Sequence, residues 1–243
     1  MKILVLTPLW KRPEIFRLYL ESLSRLFMSY PDMEAAFILS PDDPRFIELG
    51  EELLTTDHYP IIERNTPFGK KKNTGFRVAK GLEWDYLLEL NSDSIVNCRL
   101  LELYRPYMDK GVPFFGLNNL YAIEYHTRKC IFIPEYNSDR HRGIPNYEVM
   151  SFGAGQMLSR EAADKMDKLW TDELNEGMDT NKIKHLRRAG IPEVVVDCGE
   201  TPMIVDIKTN TTITHFKMLE RMAEKEVSYE WVSKQIGYDF ISP

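Results

Sequence analysis

Tyr86-Leu87-Leu88-Glu89-Leu90-Asn91-Ser92-Asp93-Ser94 is the stretch on which the fold of this chain turns. A short, largely apolar run stops abruptly in small polar residues. That pattern predicts a strand whose carboxyl end opens into a loop. A carboxylate just past the end, Asp93, then stands outside the sheet. A hard divalent cation needs such oxygen ligands, and Mg²⁺ typically takes one or two carboxylates together with substrate phosphates. The same Asn-Ser-Asp-Ser also reads as a plain turn or a helix cap.

Working outward from this stretch, the first hundred residues alternate strand and helix patterns. Ile3 to Leu6 reads as a buried strand closed by Thr7-Pro8, and Pro13-Glu14 as a helix start with proline in the first turn. Leu18, Leu23, Leu26 and Phe27 recur at helical spacing after Ile15. Ala35 to Leu39 is a second strand ending in Ser40-Pro41-Asp42-Asp43-Pro44, Phe46 to Leu54 a helix, and Tyr59 to Glu63 a third strand. The turn Asn65 to Gly69 leads to a helix over Asn73 to Lys80. This alternation predicts a parallel sheet with crossover helices, whose ligands lie beyond the carboxyl ends of the strands, where Thr7, Asp42 and Asp93 fall.

The second half is less regular. Pro113 to Leu117, Lys129 to Ile133, Glu193 to Asp197 and Met203 to Ile207 read as strands, and Ser159 to Leu169 and Asp179 to Ala189 as helices. Asn137 to Tyr147, with Arg140, His141 and Arg142, reads as a mobile loop. Leu219 to Tyr238 reads as a helical tail. With neither repeat nor linker, the chain is expected to form one domain over 1–218, in halves 1–110 and 111–218, followed by the tail at 219–243.

Composition narrows the function classes. The 243 residues are 43% hydrophobic and 28% charged, in the globular range. No run approaches the roughly 18–20 apolar residues of a membrane span. The N-terminal apolar run stops at Trp10-Lys11-Arg12, before a signal-peptide core would be complete. Cys98, Cys130 and Cys198 are widely spaced and form no paired motif, which argues against a disulfide framework or zinc knuckle and fits a cytoplasmic protein. A net charge of −6 gives no overall attraction to nucleic acid or anionic lipid. Lys70-Lys71-Lys72 reads as a local patch for a phosphate or acidic ligand.

Four further features carry chemistry or a simpler alternative. Asp179 follows a glycine turn at a helix start, a place for a dipole-favoured cap or for a general base facing a pocket. His215 follows the β-like run Thr211 to Thr214 and reads as a metal ligand or a structural histidine. Gly153-Ala154-Gly155 lets the backbone approach a ligand. Trp170, before Asp172-Glu173, reads as a sugar-stacking residue or as core.

Together these pieces resemble the GT-A glycosyltransferases, above all glycosyltransferase family 2, over roughly residues 1 to 216. Leu6-Thr7-Pro8 with Arg12 is similar to that family's first strand and nucleotide loop, and Ser40-Pro41-Asp42-Asp43 to the acidic end of its second strand. Lys72-Asn73-Thr74-Gly75 resembles its nucleotide-side helix start. Asp85 through Asp93 sits where the family has its DxD metal motif, with Asn91 in place of the first acid. Gly153 through Glu161 resembles the acceptor-side segment. Asp179 through Gly190 resembles the catalytic helix, with Met178 in place of the preceding acid, and His215 resembles a late metal-binding histidine.

The resemblance implies a single Rossmann-like α/β domain: a mostly parallel central sheet flanked by helices, and a small antiparallel sheet on the acceptor side. It implies transfer of a hexosyl or pentosyl group, with inversion, from a nucleotide-sugar donor, with UDP-sugars favoured. Thr7, Pro8, Arg12, Asp42, Lys72, Asn73 and Ser92 would contact the donor. Asp93 and His215 would hold Mn²⁺ or Mg²⁺, Gly153, Ala154, Gly155 and Trp170 would face the acceptor, and Asp179 would be the base. The acceptor is open among a saccharide, a protein and a hydroxylated DNA base. Two rivals stand beside this reading. A nucleotidyltransferase would want a glycine-rich loop after the first strand, and Thr7 to Arg12 has no glycine. A non-catalytic sugar-binding module fits the missing acids at Asn91 and Met178.

Overall fold

The computed structural model describes residues 1–45, 48, 58–135, 149–209 and 215–241. The N-terminal apolar run forms β1 (Ile3–Pro8), buried along its whole length as a parallel strand covered on both faces must be. α1 (Pro13–Ser29) opens with proline in its first turn and turns Ile15, Phe16, Tyr19, Leu23 and Leu26 inward. β2 (Met33–Leu39) and β3 (His58–Ile62) follow, then α2 (Phe68–Ala79) and β4 (Tyr86–Glu89). Next come β5 (Ser94–Val96), α3 (Leu100–Asp109), β6 (Phe114–Leu117), β7 (Leu120–Glu124) and β8 (Cys130–Ile133). The chain continues through β9 (Gln156–Ser159), α4 (Arg160–Asp164), α5 (Met178–Arg188), β10 (Val194–Val196) and β11 (Ile204–Lys208). It ends with α6 (Phe216–Glu220), β12 (Lys225–Val227) and α7 (Tyr229–Ile236).

Among the described residues the strands form two sheets. Seven lie in the order β10-β6-β9-β4-β1-β2-β3 and five in the order β12-β8-β7-β11-β5. In the larger sheet only β9 runs against its neighbours, β4 and β6. The expected α/β class with a mostly parallel central sheet is therefore present. The order reverses at β1, which has β4 on one side and β2 on the other. The crevice beyond the carboxyl ends of these strands is where doubly wound sheets bind ligands. β5 and β11 carry the second sheet up to that crevice, and the Ile207 N–H donates to the Asp93 carbonyl at 2.7 Å.

Several expectations are corrected. The stretch from Leu219 is not one helix: β12 pairs with β8 and splits it, because Val227 and the inner face of α7 pack into the apolar cluster around Tyr121 and Phe132. The smaller sheet is antiparallel except for the parallel pair β7–β11. The helix expected over Ser159 to Leu169 stops at Asp164, and β5, β7 and β9 have no counterpart in the sequence reading. α2 begins five residues before the expected Asn73 start, at Phe68. The helix expected at Phe46 to Leu54, the loop with Arg140, His141 and Arg142, and the run Thr211 to Thr214 lie outside the described residues, Glu48 apart.

Candidate active site

The early start of α2 changes what the lysine run does. Lys71 and Lys72 fall on the inward face with Gly75, Phe76 and Ala79, at helical spacing. Lys70 alone is exposed, so the run is not a surface patch. Lys71 Nζ donates to the Leu9 carbonyl, to Ser40 Oγ at 2.7 Å and to Asn65 Oδ1 at 3.1 Å. It thereby ties together the loops after β1, β2 and β3. Burial pushes its pKa down to about 7, although Asp42 and Asp43 favour its charged form. The same loops are tied again where Asp43 accepts from the Lys11 N–H and Asp42 from the Asn65 N–H.

Asp179 stands in the first turn of α5, partly exposed, against Gly153. A Cβ at Gly153 would overlap the Asp179 carboxylate and push it from this position. One turn on, Lys182 is buried. Lys182 and Lys72 both pair with Glu89, at the end of β4, and both lie over the Trp170 ring, 5.3 and 4.3 Å from its centroid. Burial disfavours the Glu89 carboxylate, but the two lysines outweigh it and hold its pKa below the usual value. Asp179 differs. Burial, with the Glu89 charge, raises its pKa, and the more distant lysines and a hydrogen bond from the Gly153 backbone offset that only in part. A carboxylate that holds its proton more tightly than usual is a stronger base when ionised.

Asp93 lies a few residues past Glu89 in a turn closed by the Ser94 N–H on the Asn91 carbonyl. The turn reading is thus realised, and the Asp93 carboxylate is buried. Arg12 Nη1 and Lys208 Nζ converge on its Oδ2 at 3.0 and 3.3 Å. Lys208 also pairs with Asp206 at 2.8 Å, and Asp206 accepts from Ser94 Oγ at 2.7 Å. Burial opposes ionisation of Asp93, yet Lys208 and Arg12 lower its pKa. Burial and the Asp93 charge raise that of Asp206. Arg12 enters from a left-handed backbone, with φ of 53° at Lys11 and 55° at Arg12. Consecutive non-glycine residues in that region are uncommon and cluster at functional sites.

The other predicted residues fall in several places. Thr7 is buried in β1, its hydroxyl 2.6 Å from that of Tyr19, and Pro8 is buried beside Ile38. Asp42 is exposed at the crevice and Ser92 is buried in the β4–β5 turn. Asn73 uses its whole amide on the chain: Oδ1 accepts from Leu169 N and Trp170 N, and Nδ2 donates to the Trp170 carbonyl and Asp172 Oδ1. Trp170 is fully buried, so its core reading is the one the structure realises. Ala154 is also core, and Gly155, at φ 87°, donates to the Glu89 carbonyl at 2.8 Å. His215 is exposed at the head of α6.

These donors do not fit a divalent cation. Among the described residues no three His, Cys, Asp or Glu side chains gather as a ligand set. Asn91 supplies an amide where an acid is wanted, and Asp93 already faces two cations. Arg12 and Lys208, both bonded to that carboxylate, would also repel a dication placed against it.

Sequence reasoning missed Glu89, Lys182, Asp206 and Lys208. The signals were there: Asp206 and Lys208 alternate with Val205 and Ile207 and so share one strand face, and Glu89 is an acid inside an otherwise apolar strand. Buried charges are rare unless paired, so each implied partners elsewhere in the chain.

The fold is that of the GT-A glycosyltransferases. S. aureus TarS (residues 1–349) in complex with UDP-GlcNAc is similar with a TM-score of 0.61 at 14% identity, over 97% of this chain and 64% of that one. The mannosyltransferase PcManGT from Pyrobaculum calidifontis, in complex with GDP-Man and Mn²⁺, is similar with a TM-score of 0.58 at 11% identity, over 90% of this chain and 60% of that one. The chain thus spans less than two thirds of the length of either protein. No protein-family profile matches the sequence, and no curated protein matches it. No described helix is long and apolar enough to cross a membrane.

Proposed function

We propose that this chain is a glycosyltransferase that moves a sugar from a nucleoside-diphosphate sugar, UDP-sugars being favoured, to an acceptor hydroxyl with inversion. The observation that carries the reading is Asp179: a carboxylate of raised pKa, partly open to solvent, seated on Gly153 beside the carboxyl end of β4. The nucleotide lies in the crevice past β1 and β2, bordered by Arg12 and Asp42, with Thr7 and Pro8 buried beneath it. Asp179 takes the proton of the acceptor hydroxyl as that oxygen bonds to the anomeric carbon. The bond from this carbon to the diphosphate oxygen breaks, and its electron pair leaves with the nucleoside diphosphate. Lys72, Asn73 and Trp170 support this site from beneath rather than touching the donor, since all are buried and engaged within the chain.

The test is a thermal-shift panel of nucleoside diphosphates and their sugars, followed by donor hydrolysis without added acceptor. Stabilisation by one nucleotide class, with slow release of free sugar, supports the reading. Stabilisation with no hydrolysis points to a non-catalytic sugar-binding module, and no stabilisation by any nucleotide sinks the reading.

A further inference from the structure

The charge cluster around Asp93 has the parts of a phosphate site without the parts of a metal site. Asp93, Asp206, Arg12 and Lys208 bring two carboxylates together with two cations at the mouth of the crevice, joining the loop after β1 to β11 of the second sheet. The cations differ in access: the Arg12 side chain keeps 15% of its surface exposed and that of Lys208 7%. Arg12 commits Nη1 to Asp93, while a guanidinium has five N–H donors in a planar fork suited to phosphate oxygens. Its direction is set from both sides. Asp43 holds the Lys11 N–H and Asp93 holds the guanidinium, which keeps two consecutive left-handed residues in place. Preorganised cations of this kind stabilise a leaving group without rearranging during reaction.

We infer that Arg12, backed by Lys208, takes the place of a divalent cation at the donor diphosphate, and that Asp93 and Asp206 are positioning residues that aim the two cations. This rests on the glycosyltransferase reading, because it needs a diphosphate in the crevice. When the bond to the anomeric carbon breaks, the added negative charge on the leaving diphosphate is met by the Arg12 fork, with Lys208 as a second positive charge behind it. Asp93 then does the opposite of a metal ligand: it holds positive side chains rather than an ion.

The experiment is calorimetric titration of UDP and GDP, with uridine and guanosine as controls lacking phosphate, into the whole protein in EDTA and in Mn²⁺. Wild type, Arg12→Gln and Arg12→Lys are compared at a temperature well below each one's melting transition, each first shown to be folded by circular dichroism, since loss of the pair with Asp93 is expected to lower that transition. The expected result is a Kd in EDTA within about threefold of that in Mn²⁺, and a loss of about tenfold or more in Arg12→Gln, the scale of a hydrogen bond to a charged group. Arg12→Lys should recover part of the loss, and nucleoside binding should not change. Diphosphate binding that requires Mn²⁺, or that survives Arg12→Gln undiminished, overturns the inference and leaves the glycosyltransferase reading standing. If neither diphosphate binds under any condition, that reading falls and this inference with it.

Discussion

Two charge clusters flank the end of β4, and each contains two carboxylates and two cations. In one, Glu89 takes both lysines, Lys72 and Lys182, while Asp179 feels them only from a distance. In the other, Asp93 accepts from both Arg12 and Lys208, and Lys208 also reaches Asp206. The formal charges are the same, yet the pKa directions of the two predicted site residues are opposite: Asp179 is raised and Asp93 lowered. Wiring therefore decides the role. A carboxylate whose neighbouring cations are committed elsewhere is left able to take a proton, whereas one bonded to two cations is fixed as an anion.

The sharpest way to break this comparison is Asp179→Asn. Transfer is expected to fall by about 10²–10⁴-fold, the usual worth of general-base help, with donor affinity kept. The raised pKa means that folding makes ionisation of Asp179 harder, so at pH 7 its charge opposes stability. The variant should thus unfold at an equal or higher denaturant midpoint. Near-normal turnover in a folded variant would remove Asp179 from the chemistry.

Asp93→Asn should behave in the opposite way. It leaves Arg12 and Lys208 short of an acid, and breaking a buried pair typically costs about 3–5 kcal/mol, read from chemical unfolding. A carboxylate whose folded pKa is depressed contributes stability that is complete above its unfolded value, about 4, and is lost as pH falls through the folded one. The wild-type advantage over Asp93→Asn should accordingly shrink on acidification below pH ~4. A difference independent of pH would mean that the cluster is not wired as described.

The smallest expected effect sharpens the first cluster. Because Asp179 must be ionised to act, its raised pKa places the acid limb of the kcat profile above the ~4 of an ordinary aspartate. Lys72 lowers that pKa, so Lys72→Met should move the limb to still higher pH. A limb that stays put would show that the lysines serve only to hold Glu89.

Much of this was legible in the residue order, and the failures have local causes. Ile3 to Leu6, Ala35 to Leu39 and Tyr86 to Leu90 were readable as strands because buried parallel strands are continuous apolar runs. β5, β7 and β9, of three to five residues, were not, although β6, β8 and β10 are equally short and were read from composition alone. Asp179 and Asp93 were recognisable as carboxylates at element ends. Their partners were not, since Lys182 is 93 residues from Glu89 and Lys208 115 from Asp93. Lys71 and Lys72 were misread as a patch because the start of α2 was placed at Asn73, which left them in a loop instead of on the inward face of the helix.

What the sequence determined by itself was the class: apolar runs alternating with helical periods can bury both faces only as a parallel sheet with crossover helices, so the crevice and the carboxylates at its rim follow from local pattern. What the tertiary structure alone decided was the charge state of those carboxylates. A pKa depends on which cations lie within a few ångströms and on how much water is excluded, and neither is set until strands and helices distant in the chain have packed together.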